Sequence, residues 1–163
     1  MSASVVIRPV DEVDRADLLD HVTAAWGAAG VAAHGELIYP AKLPGFVALT
    51  GSRIVGHVSF RQLDDCYELT SIEAAPRQAG VGSRLMEAVE EEARESGARL
   101  VWLTTTNDNL DALRFYQRRG FRLRELRPGA VDQARRELKP ELPGIGSYGI
   151  PMRDELDLEL ILD

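Results

Sequence analysis

Cysteine is nearly absent: Cys66 stands alone among 163 residues. That excludes an intramolecular disulfide and any multi-cysteine zinc site, and it is compatible with a reducing cytosol. Lysine is almost as scarce, with Lys42 and Lys139 the two lysines among 19 Lys and Arg residues, a skew we read as codon bias rather than function. Cationic excess is missing as well. Acidic residues number 26 and the formal charge is −7, which disfavours nonspecific binding to nucleic-acid phosphates while leaving room for one small phosphorylated molecule on a local basic patch. No apolar run approaches the ~20 residues of a membrane span. The N-terminus turns acidic after the tripeptide Val5-Val6-Ile7, so it is not a secretory core segment. Histidines 21, 34 and 57 lack ligand spacing, and no metal site is expected. Ser147 lacks the pattern of a nucleophile elbow. What is present, 45% hydrophobic and 28% charged residues, is the balance of a one-domain soluble globular protein that buries roughly 70% of its unfolded surface.

The patterning alternates strands and helices. Residues 5–10 read as a strand ended by proline, and 11–26 as a helix with Val13, Leu18, Leu19, Val22 and Trp26 inward and Asp14, Asp17 and Asp20 outward. Residues 27–43 are irregular, with at most one helical turn. Residues 46–49 and 54–60 form a hairpin, and 66–75 a third antiparallel strand after the turn at Asp64-Asp65. Helix 82–96 carries a stripe of Leu85, Met86, Val89 and Ala93 and is capped at Gly97. Strand 99–105 follows, giving a right-handed parallel crossover with strand 66–75. Helix 107–119 stops at Gly120, strand 121–126 follows, and 156–162 is a half-exposed last strand. Residues 128–154 hold four prolines and four glycines around a short helix, 130–138.

Two segments carry chemistry. Arg77-Gln78-Ala79-Gly80-Val81-Gly82-Ser83 joins a strand to a helix; its glycines permit close backbone approach, and the helix start offers unpaired N–H groups, as a pyrophosphate requires. It has no lysine and is not a P-loop. Gly144-Ile145-Gly146-Ser147-Tyr148-Gly149 matches a dinucleotide fingerprint in letters only, because no strand precedes it and Ile150-Pro151 follows in place of a helix. The second segment runs from Asn109 to Phe121; on a helix Asn109, Ala112 and Tyr116 fall near one line, with Leu113 and Phe115 packing inward.

Together, Arg-x-x-Gly-x-Gly before a helix and Asn-x-x-Ala-x-x-Phe-Tyr-x-x-x-Gly-Phe about 30 residues later resemble the GNAT family, the GCN5-related N-acetyltransferases. The resemblance spans the whole chain. It implies a mixed α/β fold with a mostly antiparallel sheet of about seven strands, one parallel β-α-β pair and flanking helices. It implies a single N-acetyltransferase domain over 1–163, which moves an acetyl group from acetyl-coenzyme A to a primary amine of a small molecule or peptide by direct attack. The cofactor pyrophosphate is expected on Arg77, Gln78, Ala79, Gly80, Val81, Gly82 and Ser83. Its pantetheine arm is expected between the splayed strands near Ile72 and Ala74, with further contacts from Asn109 and Arg118. Tyr116 matches the tyrosine placed at the sulfur.

A strand Glu is the base in many members; Glu68 and Glu73 are candidates, strand parity puts them on opposite faces, and Glu68 is the choice. Most arginines of the run 114, 118, 119, 122, 124 and 127 read as a solvated face. Cys66, without a histidine beside it, reads as a small core residue. Residues 128–152 are either a lid over the amine site or a dimer contact or structural insertion. A cytoplasmic location, no nucleic-acid or membrane partner and no metal complete the expectation. The alternative is a non-catalytic coenzyme A-binding sensor or scaffold.

Overall fold

The computed structural model describes residues 4–74 and 80–163. In chain order it contains β1 (Val5–Pro9), α1 (Arg15–Trp26), β2 (Val31–Ala33), β3 (Glu36–Ile38), β4 (Gly45–Thr50), β5 (Arg53–Leu63), β6 (Cys66–Ala74), α2 (Val81–Glu95), β7 (Leu100–Thr106), α3 (Leu110–Arg118), β8 (Arg122–Arg127), α4 (Ala130–Glu137) and β9 (Glu155–Ile161). Seven strands make one sheet in the order β1-β4-β5-β6-β7-β9-β8, antiparallel except for one parallel pair, while β2 and β3 form a separate two-stranded sheet. No described helix is long and apolar enough to cross a membrane. The chain divides into two compact units, one of residues 1–31, 39–101 and 162–163, the other of residues 32–38 and 102–161.

In the first unit β1, β4, β5 and β6 form an antiparallel ladder, Ile7 opposite Ala48, Phe46 opposite Val58 and Val58 opposite Ile72. The amphipathic stripe of α2 behaves as its spacing dictates, with Leu85, Met86, Val89 and Ala93 all fully buried. Gly56 lets the helix approach the sheet: a methyl group there would crowd Leu85, Val81 and the Glu73 carbonyl. Gly97 adopts φ 80° directly after the C-cap residue Ser96, the left-handed stop its position predicts.

The first helix departs from the sequence reading. Residues 12–14 form a separate 3-10 turn, held by a capping box in which Asp11 and Asp14 each accept a backbone N–H. Arg8 donates to both Asp14 oxygens at 2.7 and 2.8 Å, so Asp14 is buried rather than solvated. That contact turns the neighbouring Val13 outward to 80% exposure. Leu19 and Trp26 are exposed too, and α1 reaches the core, with Val47, Leu49 and Ala41, through Leu18 and Val22 alone. Cys66 is half-buried at the β5–β6 turn, its thiol donating to the Leu63 carbonyl at 3.2 Å, rather than a core residue.

In the second unit the segment expected to be irregular contains the β2–β3 hairpin, turned at His34 (φ 51°) and Gly35. β8 pairs antiparallel with β9. The stretch between them is ordered around α4 by side chains. Arg135 donates to the carbonyls of Leu142, Pro143 and Met152. Asn107 donates to the Pro151 carbonyl and accepts the N–H groups of Arg153 and Asp154. Asp108 accepts the Ser147 N–H at 2.9 Å. One of the dinucleotide-like glycines is explained here: a methyl group on Gly146 would overlap the Asp108 carboxylate.

Candidate active site

In the first unit, α2 begins at Gly80, which has φ 90° and provides no side-chain cap. The first helical hydrogen bond runs from Arg84 N to the Gly80 carbonyl. The N–H groups of Val81, Gly82 and Ser83 therefore have no intrahelical acceptor, and the positive end of the helix dipole lies beside them. A Cβ at Gly80 would meet no atom of the described residues within 4 Å. Arg77, Gln78 and Ala79 lie outside the described residues. Ile72 and Ala74 are half-buried on β6, opposite Val58 and Gly56 of β5.

A β-bulge reorganises β6. Ser59 pairs with Ser71 but Phe60 pairs with Leu69, leaving Thr70 as an extra residue. On β5, His57, Ser59 and Arg61 alternate without interruption and share a face; their partners Glu73, Ser71 and Glu68 must share it with them. Parity counted along β6 puts Glu68 and Glu73 on opposite faces, and the inserted residue reverses that result. Ser59 Oγ reaches both Thr70 Oγ1 at 2.7 Å and Ser71 Oγ at 2.6 Å, and Ser71 Oγ lies 3.0 Å from His57 Nε2.

His57 is buried, with its ring T-shaped to that of His21 at 5.1 Å. Burial first, and the charge of His21 second, push His57 down to about 3, so it is neutral near pH 7. Glu68 is 3% exposed, and its Oε2 accepts from Arg61 Nη2 at 2.6 Å and Nε at 2.9 Å. Its Oε1 has no hydrogen bond among the described residues.

In the second unit Asn109 is the N-cap of α3, its Oδ1 accepting from Ala112 N at 3.3 Å. Tyr116 is the buried residue of this helix, against the rings of Phe115 at 5.5 Å and Phe121 at 5.6 Å; Leu113 and Phe115 are half-buried. Arg118 is exposed in the last turn. Arg127 departs from the solvated face assigned to its run. It donates to Asp157 Oδ2 at 2.6 Å and Oδ1 at 2.9 Å and to Glu155 Oε1 at 2.9 Å, and both carboxylates are buried. Burial raises the Asp157 carboxyl, but hydrogen bonds from Arg127, Thr104 and His34 outweigh it and hold the group below its ordinary value.

Sequence reasoning missed two polar groups: His57 with its hydroxyl partners, and the Arg127 cluster with His34. The second joins residues up to 123 positions apart, with no local spacing to betray it. The first depends on the bulge. An alternating polar set at 57, 59 and 61 was the available signal.

With this geometry in place, comparison with known proteins is direct. The chain belongs to the Acetyltransferase (GNAT) family, whose sequence model matches residues 13–121. It is 35% identical to YdhI of Bacillus subtilis (strain 168), an uncharacterized protein, over 98% of this chain and 99% of that one. It is 33% identical to the aminoalkylphosphonate N-acetyltransferase of Salmonella typhimurium over 47% of this chain and 54% of that one. Among solved structures, a Bacillus subtilis acetyltransferase in complex with CoA shares the fold, with a TM-score of 0.69 and 22% identity over 98% of this chain and 100% of that one.

Proposed function

We propose that residues 1–163 act as one N-acetyltransferase domain, cytoplasmic, transferring the acetyl group of acetyl-coenzyme A to a primary amine of a small molecule or peptide. The observation that carries the reading is the uncapped start of α2 at Gly80 in a chain of this family. Backbone N–H groups at a helix start are suited to a pyrophosphate. The aminoalkylphosphonate relative and the CoA-bound neighbour support the amine acceptor and the acetyl donor.

Gly80 to Ser83, with Arg77, Gln78 and Ala79, hold the pyrophosphate in this reading. Main-chain groups at Ile72 and Ala74 hold the pantetheine arm, and Asn109 and Arg118 add contacts. Acetyl-coenzyme A supplies an activated thioester carbonyl. The acceptor attacks as a free amine, forming the C–N bond as the C–S bond breaks. Cys66, exposed only in part and bonded to a turn carbonyl, has no activating partner among the described residues for an acyl-enzyme route. Glu68, oriented by Arg61 through Oε2, takes the proton of the amine on Oε1, through a water molecule. Strand N–H groups near Ile72 face the carbonyl oxygen as its charge grows. Tyr116 donates its hydroxyl proton to the departing sulfur; a thiol near ~8.5 and a phenol near ~10 make that transfer only mildly uphill.

The test is thiol release from acetyl-coenzyme A with a panel of aminoglycosides, polyamines and peptide N-termini. Release that depends on at least one amine is expected. A thermal shift with coenzyme A but no turnover on any amine would select the non-catalytic sensor, and no shift at all would overturn the cofactor assignment.

A further inference from the structure

His57 is a buried imidazole that the proposed acetyl transfer leaves unused, and it begins a chain of hydroxyls. Its Nε2 lies 3.0 Å from Ser71 Oγ, Ser71 Oγ lies 2.6 Å from Ser59 Oγ, and Ser59 Oγ lies 2.7 Å from Thr70 Oγ1. All four residues belong to the first unit. His57, Ser59 and Ser71 are buried and Thr70 is half-buried, so the chain runs from the interior to an accessible end. Thr70 is the residue that the bulge inserts, and bulges re-aim side chains beside active sites. Its hydroxyl makes no other hydrogen bond among the described residues.

The polarity of this chain is fixed at its buried end. The Ser59 and Ser71 hydroxyls have no partners among the described residues outside the chain, and each has one proton to give, so the direction of one bond sets the next. Burial keeps His57 neutral, and a neutral imidazole carries its proton on one nitrogen. Nδ1 is buried without a hydrogen-bond partner, and His21, T-shaped against the ring, closes that end with its own unpartnered Nε2. A proton on Nδ1 would be an orphaned buried donor, which folded proteins tolerate less readily than an under-satisfied acceptor. The proton is therefore assigned to Nε2 and donated to Ser71. Ser71 then donates to Ser59 and Ser59 to Thr70, which leaves the Thr70 hydroxyl its own proton to donate.

We propose that the Thr70 hydroxyl donates a hydrogen bond to the thioester carbonyl oxygen of acetyl-coenzyme A, and that His57, Ser71 and Ser59 are positioning residues that hold it in that polarity. The inference rests on the proposed acetyl transfer, in which β6 offers Glu68 to the amine and main-chain groups near Ile72 to the thioester. Thr70 stands between those two residues, roughly 6–7 Å along the strand from each. The attacking amine needs its lone pair free, so a donor there would hinder it. The carbonyl oxygen gains negative charge as the C–N bond forms, and a fixed donor stabilises it most at that moment. Thr70 keeps its proton throughout. The contact therefore acts on the rate of acetyl transfer rather than on cofactor binding.

Two measurements on the full chain test this. Nitrogen-15 NMR reads the imidazole tautomer without any substrate, the His57 signal being the one lost in His57→Gln. A proton on Nε2 is expected, and a proton on Nδ1 overturns the proposal. The second measurement is the single-turnover rate of thiol release from acetyl-coenzyme A, with an amine of the panel that supports it. Thr70→Val, similar in shape but without the hydroxyl, should lower that rate at least tenfold, toward the roughly 10²–10³-fold that loss of one oxyanion donor costs. The acetyl-coenzyme A concentration giving half the maximal rate should not change. Thr70→Ser should restore most of the rate. His57→Phe should lower it several-fold at the same half-saturation, and His57→Gln, which keeps a nitrogen donor, should recover part of that loss. A wild-type rate in Thr70→Val, or a loss that Thr70→Ser fails to restore, overturns the proposal while acetyl transfer stands. A wild type that releases no thiol with any amine removes acetyl transfer itself, and the role of Thr70 with it.

Discussion

Arg61 and Glu68 face each other across β5 and β6, with Nη2 2.6 Å from Oε2 and the carboxylate 3% exposed. Removing the arginine alone would leave a buried charge without its partner, which costs roughly 3–5 kcal/mol in other proteins. With Arg61 partly exposed, Arg61→Met should lose ~3 kcal/mol in urea denaturation. The double variant Arg61→Met/Glu68→Met should recover most of that loss. Equal stabilities of the single and double variants would show that the pair is solvated.

Tyr116→Phe removes the proposed proton donor while retaining the ring contacts to Phe115 and Phe121. General acid–base help is worth about 10²- to 10⁴-fold, so kcat should fall by that factor. Coenzyme A affinity should remain within error of wild type. A wild-type rate from pH 6 to 9, with chemistry rate-limiting, would make Tyr116 a packing residue.

Gly80 occupies φ 90°, a region that β-branched residues avoid. Gly80→Val should therefore weaken coenzyme A by displacing the N–H groups of the first turn. Gly82→Val should act through bulk. Unchanged affinity of both variants in calorimetry would contradict the pyrophosphate position.

The stability of the protein should fall in mild acid because of His57. Its folded pKa is depressed to about 3 by burial and by His21, whereas an unfolded histidine titrates near ~6.5. Between those values the unfolded chain takes up a proton that the folded chain refuses, so stability is full above pH ~6.5 and declines as pH falls toward 3. From pH 7 to pH 5 the loss is about 2 kcal/mol, and His57→Gln should abolish that part of it. Urea midpoints at the two pH values measure the difference.

Gly146→Ala places a methyl group into the Asp108 carboxylate. The variant must displace either the side chain or the Ser147 N–H that it binds. A cost of roughly 1–3 kcal/mol follows, a fall of about 2–12 °C in Tm at this size. Asp108→Ala/Gly146→Ala should show no further loss beyond Asp108→Ala alone.

Local sequence features that agree with their tertiary setting were legible. The stripe Leu85, Met86, Val89 and Ala93, the stops at Gly97 and Gly120, and the short helix within 128–154 are encoded within a few residues of where they act. Reading failed where a distant partner decides. Val13 points outward because Arg8 pulls Asp14 inward, which is invisible to a periodicity that counts apolar residues. The β2–β3 hairpin has three residues per strand, too few for alternation to register. Thr70 is the sharper case: one inserted residue moves Glu68 to the face of Glu73, and nothing in the letters marks a bulge. The helix start at Gly80 and the helix carrying Tyr116 were legible because helix starts and helix faces are local properties, whereas Asn109, expected within the helix, is its cap. The Arg127 cluster was not, since its members come from β2–β3, β7, β8 and β9.

The stretch from 128 to 154 is fastened largely by neighbours: Asn107 holds Pro151, Arg153 and Asp154, Asp108 holds Ser147, and Asp111 accepts from the Tyr148 hydroxyl at 2.5 Å. For anyone grafting this connection between relatives to exchange acceptor preference, the transplantable module is discontinuous. It comprises the connection together with the 107–111 corner at the start of α3. A chimera that swaps the connection alone would strip three anchors from their moorings and inherit a floppy segment, whatever specificity its letters encode.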